Sequence, residues 1–447
     1  MTTRRRFPRI FYGWYVLAAA FAILFLNTGG RYIVGMLVKP VAADFGWSRG
    51  ELSSGIFLNM AVYAATVFLT GRLYDRFGAK WVIAVSTVLF SAGYALMASM
   101  HSLWEFLLYY GVLNAAGLGG TTVPIFGSVI GHWFKKRRGL AVSLAFAGSS
   151  LGQFFLLPIF SDMIHSSGWR VTILWIAGIA FVLNLALVFG VLRRDPDKYV
   201  DGGAELPPGG NDADGGTAGG VEIAATAPTG VSSLAGAPSL AVARDLTLGQ
   251  AMRSRSLWMF ALAMFVCGSA DMLVTTHLVP MATDYGLSDG TAASMLAWLG
   301  LLGLAGVLLA GPAADAIGNK LPIIVTFALR VVLCVMVIEF KGVVPFWIFS
   351  LGFGITLLVT APLVPTLVSS LYGTTHIGFI SGFINTVHMV GGGLWAYVGG
   401  VIYDRTGDYD LALLLSAISA GIALVCTLLI REHRHTVPAP RKQAAAA

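Results

Sequence analysis

Long apolar runs, separated by short polar or glycine-bearing turns, fill most of this chain. A helix needs about 20 mostly apolar residues to cross the hydrocarbon core of a bilayer. Residues 81–97 and 171–191 approach or reach that length almost without charge. The pattern predicts twelve helical spans at residues 11–38, 52–71, 81–99, 104–130, 139–161, 170–192, 256–280, 292–312, 321–340, 344–370, 377–402 and 409–430. The expected fold class is therefore an all-α membrane protein.

Two stretches depart from the pattern. Residues 195–250 are rich in Gly, Ala, Pro and Asp and offer too little apolar surface to fold alone. They read as a flexible cytoplasmic linker between a six-helix bundle at 1–194 and a second at 251–435. Residues 436–447 read as a disordered tail.

The two bundles carry a repeat. Pro40, Ala42, Asp44, Gly46, Ser48 and Gly50 recur without a gap as Pro280, Ala282, Asp284, Gly286, Ser288 and Gly290. Gly71, Asp75, Gly78 and Lys80 recur in the same register as Gly311, Asp315, Gly318 and Lys320. An even number of spans separates the copies, so they run in the same direction through the bilayer.

Composition supports the membrane reading. The chain is 56% hydrophobic and 11% charged, against about a quarter charged in soluble domains. Of 29 Lys and Arg, only Lys39, Arg49, Arg170, Lys341 and Arg405 fall on the side opposite the termini, and Arg31 and Arg330 fall within spans. By the positive-inside rule both termini are expected in the cytoplasm of a cell whose inner (plasma) membrane holds the protein. The net charge of +7 belongs to these loops, so no nucleic-acid partner is expected. Lipid surrounds the spans, and a monomer is expected. Arg4, Arg5 and Arg6 lead into an apolar run too long for a signal peptide, so no cleavable signal is expected. Cys267, Cys334 and Cys426 lie inside apolar runs and suggest neither disulfides nor a metal site.

Local motifs sharpen the picture. Gly71-Arg72-Leu73-Tyr74-Asp75-Arg76-Phe77-Gly78-Ala79-Lys80 resembles the loop between helices 2 and 3 of the major facilitator superfamily. Trp133 to Gly148 resembles the loop-4/helix-5 signature of its monocarboxylate transporter branch, next to the oxalate/formate antiporters, with Ser143 in place of the usual glycine. Tyr12-Gly13-Trp14 resembles that branch's opening signature more loosely. The resemblance implies two pseudo-symmetric six-helix bundles with substrate between them near the midplane. It implies a conformational lock at Gly71, Asp75, Arg76, Gly78, Asp315 and Lys320, weaker in the second copy, where Ala316 stands opposite Arg76. The branch's usual helix-8 arginine and its acidic partner are Val307 and Gly303 here, so other residues must do their work.

Ionisable groups inside a span are costly and mark candidate sites. Arg31 and Asp271 occupy equivalent places in the repeat, in helices 1 and 7. The guanidinium fork of Arg31 suits a carboxylate. Asp271 then reads as the proton-coupling group, with Arg31 as its counter-ion until substrate arrives; a permanent structural ion pair is the bland alternative. Asn27, Tyr110, Asn114, His277, Asn385 and His388 join Arg31 as expected substrate contacts, against the plainer reading of helix–helix hydrogen bonds. Arg330, in a helix that the resemblance places outside the bundle, is expected to bond a neighbouring helix or lipid. Pro362 and Pro365, near Gly352 and Gly354, suggest a hinge, and Gly391, Gly392 and Gly393 a loosened helix 11.

There is no phosphate-binding glycine loop followed by Lys and Ser/Thr, no nucleophile–base set and no metal cluster, so an enzyme and a cofactor are not expected. The expected function is secondary active transport of a small organic anion, monocarboxylate-like and coupled to protons. The alternatives are an efflux pump or antiporter for larger amphipathic compounds, or a non-transporting membrane receptor.

Overall fold

The structure is a computed structural model that describes residues 11–134, 138–192, 247–373 and 376–430. The tail at 436–447 lies outside these residues, as does the expected linker apart from its last four residues. Span 1 runs Gly13–Tyr32 and Val34–Phe45, span 2 Arg49–Phe77, span 3 Ala79–Met97, span 5 Arg138–Ser167 and span 6 Trp169–Gly190. After a short helix at Leu248–Arg253 come span 7 at Arg255–Asp284, span 8 at Asp289–Ile317 and span 9 at Lys320–Glu339. Span 10 follows as Val343–Leu357 and Thr360–Tyr372, and span 12 is Asp410–Leu429. These ten are long and apolar enough to cross a membrane. Span 4, in pieces from Leu103 to Trp133, and span 11, Ile377–Thr406, run beside them, which is consistent with the twelve expected.

Local chemistry sets the ends. Ser48 accepts from the Glu51 amide, and the Glu51 carboxylate accepts from the Ser48 amide, a reciprocal cap that starts span 2. Ser288, its repeat equivalent, accepts from the Thr291 amide at the start of span 8. Gly78 (φ 80°) and Gly318 (φ 87°) end those same spans in a left-handed conformation that disfavours any side chain. The repeat is thus a repeat of start and stop signals as well as of letters.

Span 10 breaks at Leu358–Val359, four residues before Pro362. Proline has no N–H to return to the Leu358 carbonyl, so the ladder fails there. Span 11 is not loosened at Gly391–Gly393; it is one continuous helix. Those glycines instead admit close neighbours. A Cβ on Gly392 would stand 3.1 Å from the Gly268 carbonyl oxygen, and one on Gly393 would stand 2.9 Å from Met60 Cβ.

Buried apolar residues show how the halves meet. At the end carrying the 46–48, 285–288 and 407–409 connections, both halves share one cluster, including Ile33, Leu52 and Ile56 with Val274, Leu278 and Leu296. At the opposite end each half has its own cluster, one around Val16, Ile130 and Leu192 and the other around Leu257, Phe260 and Tyr372. The halves are joined at one end and independently packed at the other.

Candidate functional site

Asp271 lies midway along span 7, and its partner is not Arg31. Its Oδ1 sits 2.7 Å from Nη2 of Arg330, on span 9. The side chains are 6% and 0% exposed. The guanidinium spends most of its N–H groups elsewhere. Nη1 donates to the Cys267 carbonyl (3.2 Å), Nη2 to the Thr356 carbonyl (3.0 Å) and Nε to the Thr356 hydroxyl (3.2 Å). The Phe353 ring lies 4.6 Å away. Asp271 therefore contributes charge rather than an aligned hydrogen bond: its Oδ1 lacks one despite the short separation.

Arg330 is thus bonded to neighbouring helices, with no exposure to lipid. Asp271 takes its counter-ion from span 9 rather than from Arg31 on span 1. Covalent spacing explains part of the geometry. Cys267 and Asp271 are one turn apart on one face of span 7, and the Cys267 thiol is 3.8 Å from Asp271 Oδ2. The His388 Nε2, from span 11, is 3.6 Å from that same oxygen. Glycine makes this approach possible, because a Cβ on Gly268 would collide with the His388 backbone. Thiol, carboxylate and imidazole come within 4.8 Å of one another, a spacing that geometrically admits a metal ion. Arg330 beside Asp271 opposes a divalent cation there.

Arg31 is half-buried and pairs with no carboxylate among the described residues. Its Cζ lies 4.7 Å from the centre of the Tyr63 ring, and its Nη2 is 3.3 Å from the Met60 sulfur. Tyr32, Tyr63 and Tyr110 are within electrostatic reach of it, and Tyr32 is within reach of Asp271 as well. Arg31 is a cation held by aromatic faces, with its hydrogen-bonding fork uncommitted to an anion.

Several expected contacts make hydrogen bonds or ring contacts within the protein. Asn27 is buried and accepts from Asn184 of span 6 at 2.9 Å. Asn114 is buried and donates to the Phe90 carbonyl of span 3 at 3.2 Å, where Gly93 gives it room. Both stitch helices within the first half. Tyr110 is 3% exposed and stacks on Phe106 at 5.4 Å; it borders Arg31 electrostatically but lies in the core. His277 is 1% exposed, between the Tyr409 hydroxyl (3.1 Å) and the Ala396 carbonyl (2.8 Å). The Ala396 carbonyl can only accept, so Nε2 carries a hydrogen, and the Tyr409 hydroxyl, which accepts from Arg49 at 2.8 Å, is the partner of Nδ1. Both ring nitrogens are thus committed within the protein. Asn385, by contrast, is exposed, one turn from His388.

Of the expected lock, the side chains of Asp75 and Asp315 lie outside the described residues. Gly71 has no neighbour a Cβ would strike, and Arg76 is exposed, 5.3 Å from the Phe77 ring. Lys320 donates to the carbonyls of Leu428 (2.5 Å) and Ile430 (2.7 Å), capping the end of span 12 with a cation.

The joined end has its own polar seam, which the sequence reading did not assign to function. Arg49, the first residue of span 2, donates to both Asp284 oxygens (2.7 and 3.0 Å), and Lys39 lies 2.6 Å from the same carboxylate. Asp404 of span 11 accepts the amides of Arg49 (2.9 Å) and Gly50 (2.7 Å), an anion at a helix N-terminus. Gln153 of span 5 donates to the Leu296 carbonyl of span 8 at 2.9 Å. The repeat held a signal for this seam: Asp284 is the counterpart of Asp44, which bonds Trp169 and Arg170 within its own half.

Comparison with known proteins agrees with this architecture. The sequence profile of the Major Facilitator Superfamily matches residues 20–396 and 260–447. The uncharacterized MFS-type transporter YcxA of Bacillus subtilis is 26% identical, over 93% of this chain and 94% of that protein. Human monocarboxylate transporter 11 is 27% identical, over 91% of this chain and 80% of that protein. Among solved structures, a bacterial homolog of the human lysosomal transporter Spinster superposes with a TM-score of 0.70 at 14% identity, covering 95% of this chain and 97% of the other. The nucleoside transporter NupG superposes with a TM-score of 0.72 at 10% identity, covering 94% and 99%.

Proposed function

This chain belongs to the major facilitator superfamily, a family of membrane transporters rather than enzymes, and on that premise we propose that it carries a small organic anion of the monocarboxylate kind together with a proton. The observation that carries the reading is the state of Arg31: a half-buried guanidinium, stacked on Tyr63, with no carboxylate partner among the described residues. A charge in that position is expensive unless something neutralises it. A substrate carboxylate is the simplest group to do so, through two parallel N–H···O bonds.

The Asp271–Arg330 pair supplies the second half of the reading. It is electrically neutral as a unit, so the site's excess charge is Arg31 alone, which suits a monoanion better than a neutral or cationic cargo. Coupling to protons is assigned to the cluster around Asp271. The likeness to monocarboxylate transporters supports the cargo class.

The packing supports alternating access as the mode of transport. The halves share a core at one end and hold separate cores at the other. Rocking about the site would exchange those two arrangements. The positive-inside rule assigns the separately packed end to the cytoplasm, which supports reading this geometry as inward-facing.

The test is a thermal-shift screen of the purified protein against short and aromatic monocarboxylates, with the same acids against Arg31→Gln. Stabilisation of the native protein that is lost in the variant is the expected result. Stabilisation by bulky cations alone would overturn the anion reading.

A further inference from the structure

The location of the transported proton can be inferred more narrowly; this step rests on the proton-coupled anion transport proposed above. Arg330 is fully buried, and Asp271 is the carboxylate that balances it. A guanidinium does not deprotonate in a protein. Protonating Asp271 would therefore leave a buried cation unpaired, the arrangement that ion-pair physics penalises most. Asp271 and Arg330 each depend on the other's charge.

His388 is placed differently. Its side chain is 21% exposed where Asp271 is 6% and Arg330 is 0% exposed. Nε2 is 3.6 Å from Asp271 Oδ2, too far for a hydrogen bond but within ion-pair range. An imidazolium there gains Asp271 as a charge partner through Oδ2, against the like charge of Arg330, which pairs with Oδ1. The charged and titratable groups facing it are Asp271 and Cys267 on span 7 and Arg330 on span 9. Among the described residues, spans 2, 10 and 12 bring it no ion pair. Cys267 is fully buried and already bonded to Asp271, Arg330 and Thr360.

We propose that His388 is the group that takes up and releases the coupled proton, with Asp271 as its fixed counter-charge and Arg330 as the positioning residue that keeps Asp271 ionised. Charge balance then supplies the coupling. With His388 neutral, Asp271 and Arg330 cancel, and the site carries the single positive charge of Arg31. A bound monoanion alone brings the site to zero, and a proton alone raises it to two. Both together restore the resting charge. In a site of low dielectric, proton and anion therefore bind with positive cooperativity. The substrate anion and the proton cross as an electroneutral pair.

The experiment uses the full chain in proteoliposomes, with pyruvate, butyrate and benzoate as probes. It measures uptake driven by an inward proton gradient, exchange without a gradient, and apparent anion affinity from pH 5 to 8. For the native chain, affinity rises as pH falls. In His388→Gln, a neutral mimic, the ratio of gradient-driven uptake to exchange falls by about tenfold and the pH slope disappears. In His388→Lys, a charged mimic, the slope also disappears, but affinity stays at its low-pH value. A native pH profile in either variant overturns the proposal. A native chain that carries these acids without proton dependence, or carries none of them, overturns the functional reading and this inference together. A coupled native chain with coupling intact in His388→Gln overturns this inference alone.

Discussion

Asp271 and Arg330 stand 2.7 Å apart on neighbouring spans, in a place that exposes none of the arginine and 6% of the aspartate. Neither charge is stable there alone. Removing one partner of a buried pair typically costs about 3–5 kcal/mol. Replacing both with neutral groups of similar volume leaves no charge unpaired.

The first prediction is therefore a strongly non-additive cycle. Asp271→Asn and Arg330→Met each lower the unfolding temperature in detergent markedly, and the double variant is more stable than either single one. Thermal unfolding of the three proteins decides it. Additive losses would mean that the two charges do not depend on each other.

A second prediction separates the charge of Arg31 from its shape. Arg31→Gln removes a charged hydrogen-bonding partner worth about 1.5–3 kcal/mol, so Kd for a carboxylate rises roughly tenfold to a hundredfold. Arg31→Lys keeps the charge but loses the planar fork and the stacking on Tyr63. Its Kd falls between native and Arg31→Gln. Isothermal titration with the acid that most stabilises the native protein checks the order. Equal affinity in all three would remove Arg31 from the site.

How much of this was legible beforehand depends on which interactions are local. Spans, caps and the repeat are set by nearby residues, so apolar runs and the pairs Ser48/Ser288 and Gly78/Gly318 announce them. The partner of a buried polar group is set by which face of a helix meets which neighbour, and spacing does not report that. Asn27 lies one turn before Arg31, yet it turns to Asn184. Arg330 looked peripheral because its span is peripheral, while its long side chain reaches inward to Thr356 and Cys267. Arg49 sat at a span boundary, where a basic residue needs no special explanation, so its contact with Asp284 had no sequence signature beyond the repeat.

That contact leads to a third prediction. Arg49 ties span 2 to spans 7 and 12 through Asp284 and Tyr409, and stacks 3.5 Å from the Tyr403 ring. Arg49→Ala removes all three at once and touches nothing at the separated end. Nitroxides on Ser166→Cys and Ser288→Cys, both exposed at the joined end, report the separation of spans 5 and 8 by pulsed electron resonance. In Arg49→Ala the distance distribution gains a longer component. A distribution identical to that of the parent would show that the polar seam does not hold this end shut.

A fourth prediction tests the same interface by steric means. A Cβ on Gly400 of span 11 would stand 2.6 Å from both the Arg49 carbonyl oxygen and the Ser53 hydroxyl of span 2. Both neighbours belong to the other half, so the clash exists only while the halves are joined at that end. Gly400→Val therefore penalises one state and leaves the other alone. Overpacking of this kind costs about 1–3 kcal/mol, enough to change the ratio of the two states by roughly 5- to 150-fold. Gly382→Val, on the same span, is the control, because a Cβ there meets nothing within 4 Å. Ile56→Cys, 3% exposed in the shared core, supplies the probe. A membrane-impermeant thiol reagent applied from the joined side should label it faster in Gly400→Val than in the Gly382→Val control. Equal rates in the two would mean that the close approach of spans 2 and 11 does not decide which end is open.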